Sequence, residues 1–215
     1  MNATTPGPPL GLHRIRLVVI LSAGVIGLVL VGGLLTLARI YGGLPSAGGG
    51  VAAPIYSQQG MSFSYPSGWH VNEVDLALHY QTVLSYLASP GASGTMTCGA
   101  DYIPGAGGTC DQHLTLGPDS VVIQVSRSEG PPTPTGTVAW MLSGDSAATA
   151  VTVGGQPAAR QAAAPDVADA ATKWTIAVPG DDYGAYTIVA YVKGPDLSAE
   201  WAQVQALVDS VSIKP

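Results

Sequence analysis

The sequence predicts an α+β domain, an antiparallel β-sheet flanked by helices, preceded by one transmembrane helix. Three observations carry this. Leu17 to Ala38 runs for 22 residues without a charge. Beyond it, short alternating or β-branched apolar runs are separated by Gly and Pro turns, the pattern of strands. Near the end, Trp201, Val204, Leu207 and Val208 recur at the spacing of one helix face.

The apolar run comes first in the chain. A helix of 22 residues is about 33 Å long, enough to cross a hydrocarbon core of about 30 Å. Its four glycines, Gly24, Gly27, Gly32 and Gly33, are tolerated in lipid, where unpaired backbone costs far more than lost helix propensity. Arg14, Arg16 and the amino terminus lie on one side, and Arg39 stands alone on the other. The positive-inside bias therefore puts residues 1–16 in the cytoplasm and the larger part outside, as a single-pass cell-membrane protein. The run exceeds the apolar region of a signal peptide, and its nearest small-x-small pattern, Val51-Ala52-Ala53, is followed by Pro54, so the segment is expected to stay uncleaved. The first cysteine is Cys98, which excludes a lipoprotein anchor. Ala23 and Gly27 form a small-xxx-small pair, leaving the chain a monomer or a weak dimer.

Residues 39–55 form a linker, rich in Gly, Ala and Pro and without periodicity. Residues 56–215 are long enough for one domain with its own core. All 14 acids lie after the linker, against five Lys and Arg (eight in the chain less Arg14, Arg16 and Arg39). An acidic domain without clustered cations is no nucleic-acid binder.

Within the domain, Met61 to Tyr65 alternates, Pro66-Ser67-Gly68 turns the chain, and Trp69 to Val74 extends again. Thr82 to Ala88 and Ser120 to Ser126 are further strands, while Thr137 to Leu142 fits a strand or a short helix. Ala150 to Val153 and Ala158 to Ala162 flank Gly154-Gly155 as a hairpin, and Thr172 to Val178 with Ala185 to Lys193 make a second. Asp196 or Ser198 caps the closing helix, with Glu200 in its first turn.

The opening Phe63 to Trp69 (F-x-Y-P-x-G-W), the late hairpin and the terminal helix running into Asp209 to Ile213 resemble the PsbP-like superfamily. That superfamily includes the photosystem II subunit PsbP, a Ran-binding eukaryotic protein and many bacterial exported domains. The resemblance covers about Tyr56 to Lys214 and implies a central antiparallel sheet flanked by helices. Its motifs are structural, so it implies a binding module by analogy and transfers no site residue.

Cys98 and Cys110 are the only cysteines. In an oxidising compartment they are expected to form a disulfide, with loop closure worth about 3 kcal/mol. A metal site is the alternative, since Cys110 and His113 have C-x-x-H spacing and Cys98 offers a third ligand, but no fourth ligand is evident. His70, His79 and His113 belong to no H-E-x-x-H motif, and neither G-x-S-x-G nor S-x-x-K occurs. No catalytic residue, metal ligand or cofactor is assigned. Asp181-Asp182 reads as turn chemistry, Asp166 and Asp169 as solvated loop, and Trp69, Trp140, Trp174 and Trp201 as core. The expected function is a membrane-tethered extracytoplasmic binding or scaffold domain of a bacterial envelope, with a protein or lipid partner. An envelope hydrolase with an unrecognised site is the alternative.

Overall fold

The turn-punctuated apolar runs become strands, and six of the nine strand pairings among the described residues join neighbours in sequence. The structure is a computed structural model that describes residues 52–129, 136–144 and 147–214. In chain order the elements are β1 (Ile55–Gln58), β2 (Met61–Ser64), β3 (His70–Ala77), β4 (Gln81–Ala88), β5 (Ser93–Cys98), β6 (Cys110–Thr115) and β7 (Ser120–Glu129). There follow α1 (Thr137–Gly144), β8 (Thr149–Val153), β9 (Gln156–Ala162), β10 (Ala170–Val178), β11 (Asp181–Lys193), α2 (Leu197–Asp209) and β12 (Ser212–Ile213). Seven strands form the main sheet in the order β3-β4-β7-β11-β10-β9-β8; β1-β2-β12 and β5-β6 form two smaller sheets. Every pairing is antiparallel, and β4-β7, β7-β11 and β2-β12 bring distant segments together.

Strand parity sorts the side chains of the main sheet into two buried faces. Val121, Ile123 and Val125 of β7, Tyr186, Ile188 and Ala190 of β11, and Trp174 and Ile176 of β10 point to the first. That face is covered by Val204, Leu207 and Val208 of α2 and by Tyr56, Met61, Phe63 and Ile213 of the three-stranded sheet. Val83, Tyr86 and Ala88 of β4, Val122 of β7, and Val189 and Tyr191 of β11 point to the second, where Met96 and Leu114 of the β5-β6 hairpin pack. Because both faces are covered, β7 is buried continuously from Ser120 to Ser126 and does not alternate with solvent. β4 keeps its apolar side chains inward on both sides through a register shift between Val83 and Ser85.

Tyr56 and Ser210 tie polar groups beneath the first face to their neighbours, whereas Glu200 Oε2 is buried without a hydrogen-bond partner among the described residues. Tyr56 stacks on Phe63 at 4.7 Å between centroids. Its hydroxyl lies 2.9 Å from Gln58 Oε1 and 3.3 Å from Ser85 Oγ. Burial pushes the Tyr56 phenol up to about 12, against the opposing pull of the Ser85 hydrogen bond. α2 begins where Asp196 Oδ1 accepts from the Ser198 backbone N–H at 3.0 Å. It ends at Ser210, whose Oγ accepts from the Ser64 N–H at 2.9 Å and so locks the helix end to β2.

These observations correct the expected fold class. The described residues are mostly β, 54% strand and 14% helix, in three antiparallel sheets with two helices, not an α+β sheet flanked by helices. The physical reason is that cover over the main sheet comes largely from two small sheets. β1, β5 and β6 carry too few apolar residues to announce themselves as strands, and they do the work assigned to flanking helices. The ambiguous Thr137 to Leu142 is helical, as α1. The expected transmembrane helix, Leu17 to Ala38, lies outside the described residues. Among the described residues, no helix is long and apolar enough to cross a membrane.

Candidate functional site

One end of the main sheet is hollowed into a polar cleft of about 580 Å³, lined by residues including Gln59, His79, Tyr80, Gln81, Arg127 and Glu129. Four chain segments build it, the last being the β5-β6 loop that contributes Gly105. The first is the β3-β4 turn, closed by the Leu78 N–H donating to the Gln81 carbonyl at 2.7 Å. His79 and Tyr80 form its tip, edge to face at 3.9 Å between centroids, and both are exposed. The second is the end of β7, where Arg127 and Glu129, two residues apart, project to one face about 7 Å from each other along the strand. The third is the β1-β2 turn, where the Gln59 carbonyl accepts a hydrogen bond from the Tyr186 hydroxyl.

Next to the turn stands the loop between β5 and β6. Cys98 and Cys110 face each other across the hairpin and are joined by a disulfide. Inside the closed loop, Asp101 Oδ2 accepts from the Thr109 N–H at 2.9 Å and from Thr109 Oγ1 at 2.8 Å. Gly108, at φ +143, lies so close to the Tyr102 backbone that a Cβ would sit 2.5 Å from its Cα. Thus folded, the loop reaches β3: the Tyr102 hydroxyl and the Gly105 N–H both donate to the Ala77 carbonyl, at 2.8 and 3.0 Å. Gly105 and Ala77 are themselves cleft-lining residues, so the disulfide holds one wall of the cleft.

The hydrogen bonds from the Thr109 hydroxyl and then its backbone N–H lower the Asp101 carboxyl below its usual range. A depressed carboxyl stabilises the fold fully above the unfolded value, near 3.9, and loses that effect as pH falls through its own lower value. We therefore expect the Thr109 amide to be protected from hydrogen exchange at neutral pH and to lose protection below about pH 4. In Asp101→Ala, exchange at Thr109 should be fast throughout. A Thr109 amide whose protection is the same in both proteins would remove Asp101 from the loop's construction.

Arg127 is the electrostatic centre of the cleft. Its guanidinium carbon stands 5.8 Å from the centroid of the Tyr186 ring, a cation–π geometry that positions it without neutralising it. Nε is buried and has no hydrogen-bond partner among the described residues. Among the described residues no carboxylate pairs with this guanidinium, Glu129 included. An unpaired, partly desolvated guanidinium is matched by a planar or tetrahedral oxyanion, which accepts two of its donors at once.

The residues singled out in the sequence fare differently. The disulfide removes the thiolates that a metal site at Cys98, Cys110 and His113 would require, and His113 Nε2 instead lies 2.8 Å from Thr97 Oγ1. His79 lines the cleft while His70 stands exposed at the start of β3, so the histidines are not gathered. Asp181 serves its turn, Oδ1 accepting from the Gly184 N–H at 2.8 Å. Asp169 is more than solvated loop, since it accepts from the Gly194 N–H at 3.0 Å. Trp69 and Trp174 are buried and Trp201 packs against the core, whereas Trp140 is 54% exposed, contrary to its core assignment. Arg127, Glu129, Tyr80 and Gln59 gave no motif to find; Arg127 is conspicuous only as the first cation after Arg39.

No protein-family model and no curated protein matches the chain. Among solved structures, the chain is similar to a protein from Bacteroides thetaiotaomicron VPI-5482, at 13% identity and a TM-score of 0.41. The match covers 77% of this chain and 50% of that one, so the chain spans about half its length. So slight a likeness carries no argument about fold or function and says nothing of the PsbP-like resemblance.

Proposed function

We propose that the chain is a membrane-tethered, extracytoplasmic binding domain of a bacterial envelope, taking a small oxyanion-bearing ligand in the cleft around Arg127. The observation that carries this reading is Arg127, whose Nε is buried and has no hydrogen-bond partner among the described residues, in the lining of a cleft of about 580 Å³. Glu129, on the same face of β7, adds an acceptor about two residues' rise away. The pair suits a compact ligand that joins a carboxylate or phosphate to a hydroxyl or ammonium donor. The location rests on the uncharged run Leu17 to Ala38 followed by a disulfide-bonded domain, since disulfides persist in oxidising compartments. A hydrolase is less well served: the lining holds His79 and Glu129 but neither serine nor a thiol.

The test is calorimetric titration of the full chain in detergent micelles with small hydroxy acids, amino acids and phosphate monoesters, each beside a neutral counterpart. A charge-assisted bond to Arg127 is worth about 1.5–3 kcal/mol, so Arg127→Gln should weaken binding about 10- to 100-fold. Carboxylate against phosphate arms identify the oxyanion. Binding that ignores the ligand's charge, or survives Arg127→Gln unchanged, refutes the site.

A further inference from the structure

The two edges of the main sheet differ in a way that bears on assembly. At one edge, β3 carries Glu73 and Asp75, a register shift between Glu73 and Leu76, and Asp75 at φ +45. Charges and a bulge are the ordinary means by which an edge strand avoids pairing with another chain. At the other edge, β8 reads Thr149-Ala150-Val151-Thr152-Val153, with no charge and no proline, and keeps regular register with β9 through all its pairs. It has none of those protections.

The turn tells which backbone groups of β8 look outward. Gly154 and Gly155, at φ +58 and +76, close a two-residue hairpin, so Val153 and Gln156 form its hydrogen-bonded end pair. Bonded and non-bonded pairs alternate along an antiparallel ladder. Val151 and Thr149 therefore bond inward to β9, and Ala150 and Thr152 direct their N–H and C=O groups away from the sheet. Both residues are exposed, and among the described residues nothing accepts from or donates to those outer groups.

We propose that β8 pairs antiparallel with β8 of a second copy of this chain, joining two main sheets edge to edge. The strand is complementary to itself. With a two-fold axis through Val151, Ala150 of one copy stands opposite Thr152 of the other, and each such pair exchanges both of its backbone hydrogen bonds. The charge pattern favours a copy as occupant. The domain is acidic overall, with 14 acids in the chain and none in the stretch from Ala147 to Gln156, so two copies meet here without facing like charges. Apolar surface lies alongside, where Trp140 and Met141 of α1 stand by Gln161 and Lys173 of the neighbouring strands. This pairing is independent of the cleft at the opposite side of the sheet order.

The test is oxidative crosslinking of the full chain in detergent micelles. Val151→Cys places two thiols in a non-bonded pair across the axis, and Glu73→Cys serves as the reference at the guarded edge. Val151→Cys should give a disulfide-linked dimer about tenfold faster than Glu73→Cys, and adding Ala150→Lys should slow it by a similar factor. The unsubstituted chain should sediment as a dimer and its Ala150→Lys variant as a monomer. Equal crosslinking at the two edges overturns the proposal. So does a monomeric parent chain, or a dimer indifferent to Ala150→Lys, which would place the contact elsewhere, as at Ala23 and Gly27.

Discussion

Trp174→Ala should lower the free energy of unfolding by about 3–5 kcal/mol, the range for emptying a buried indole site. Trp174 is 3% exposed on the first face of the main sheet, in a cluster with Ile176, Ile188 and the α2 residues. In β10 it sits opposite Ile188 of β11 on one side and Arg160 of β9 on the other. The Arg160 guanidinium carbon lies 5.8 Å from its ring centroid, so the arginine's position also depends on the indole. The neighbouring strands are held by their ladders and are not free to collapse into the space, which puts the cost toward the upper part of the range. Denaturant unfolding should show a lower midpoint with an unchanged slope. Trp140→Ala is the internal control: with its side chain largely in solvent, its effect should stay within about 0.5 kcal/mol. Equal losses at the two tryptophans would contradict the burial assigned to each.

The same contrast shows what the sequence could disclose. Strand signals were strong wherever a segment meets the core on both faces: β4, β7, β10 and β11 are rich in β-branched and aromatic residues, and their positions were legible. The hairpin about Gly154-Gly155 was legible too, and the α2 cap was narrowed to Asp196 or Ser198, of which Asp196 is the cap, because turn and cap chemistry is local. β5 and β6 were missed since their partner is each other. Ser93–Cys98 and Cys110–Thr115 are half-exposed, polar and separated by a glycine-rich loop, which reads as loop alone. That omission, with β1, left the small sheets unforeseen, while the expectation of flanking helices came from the terminal helix pattern and the PsbP-like resemblance. Trp140 misled for another reason: a tryptophan in an apolar run reads as core, and only the packing of α1 shows Val138, not Trp140, turned inward. The cleft was illegible altogether. Its members come from three turns and a strand end far apart in sequence, and Arg127 has significance only through the absence of a carboxylate beside it.

Removing the disulfide should have the next largest effect, and it should act on the cleft as well as on stability. In Cys98→Ser/Cys110→Ser, losing a crosslink that spans a sequence separation of 12 costs about 3 kcal/mol on chain-entropy grounds. The loss should be local before it is global. A two-stranded hairpin is marginal by itself, and β5-β6 pairs with no other strand among the described residues. It is held by packing on the second face, where Gly94 lies so near Tyr86 that a Cβ would be 2.5 Å from the ring. Without the crosslink, the closed loop would surrender its hold on the Ala77 carbonyl through Tyr102 and Gly105. Hydrogen exchange should then rise at Thr95, Thr97 and Tyr102 while Ile188, on the first face, keeps its protection. Titration of the same double variant should show weakened oxyanion binding with Arg127 intact. Weaker binding together with unchanged exchange at Ile188 would mark the loop as a wall of the site. Full affinity in a variant whose hairpin has opened would confine the site to Arg127, Glu129 and the β3-β4 turn.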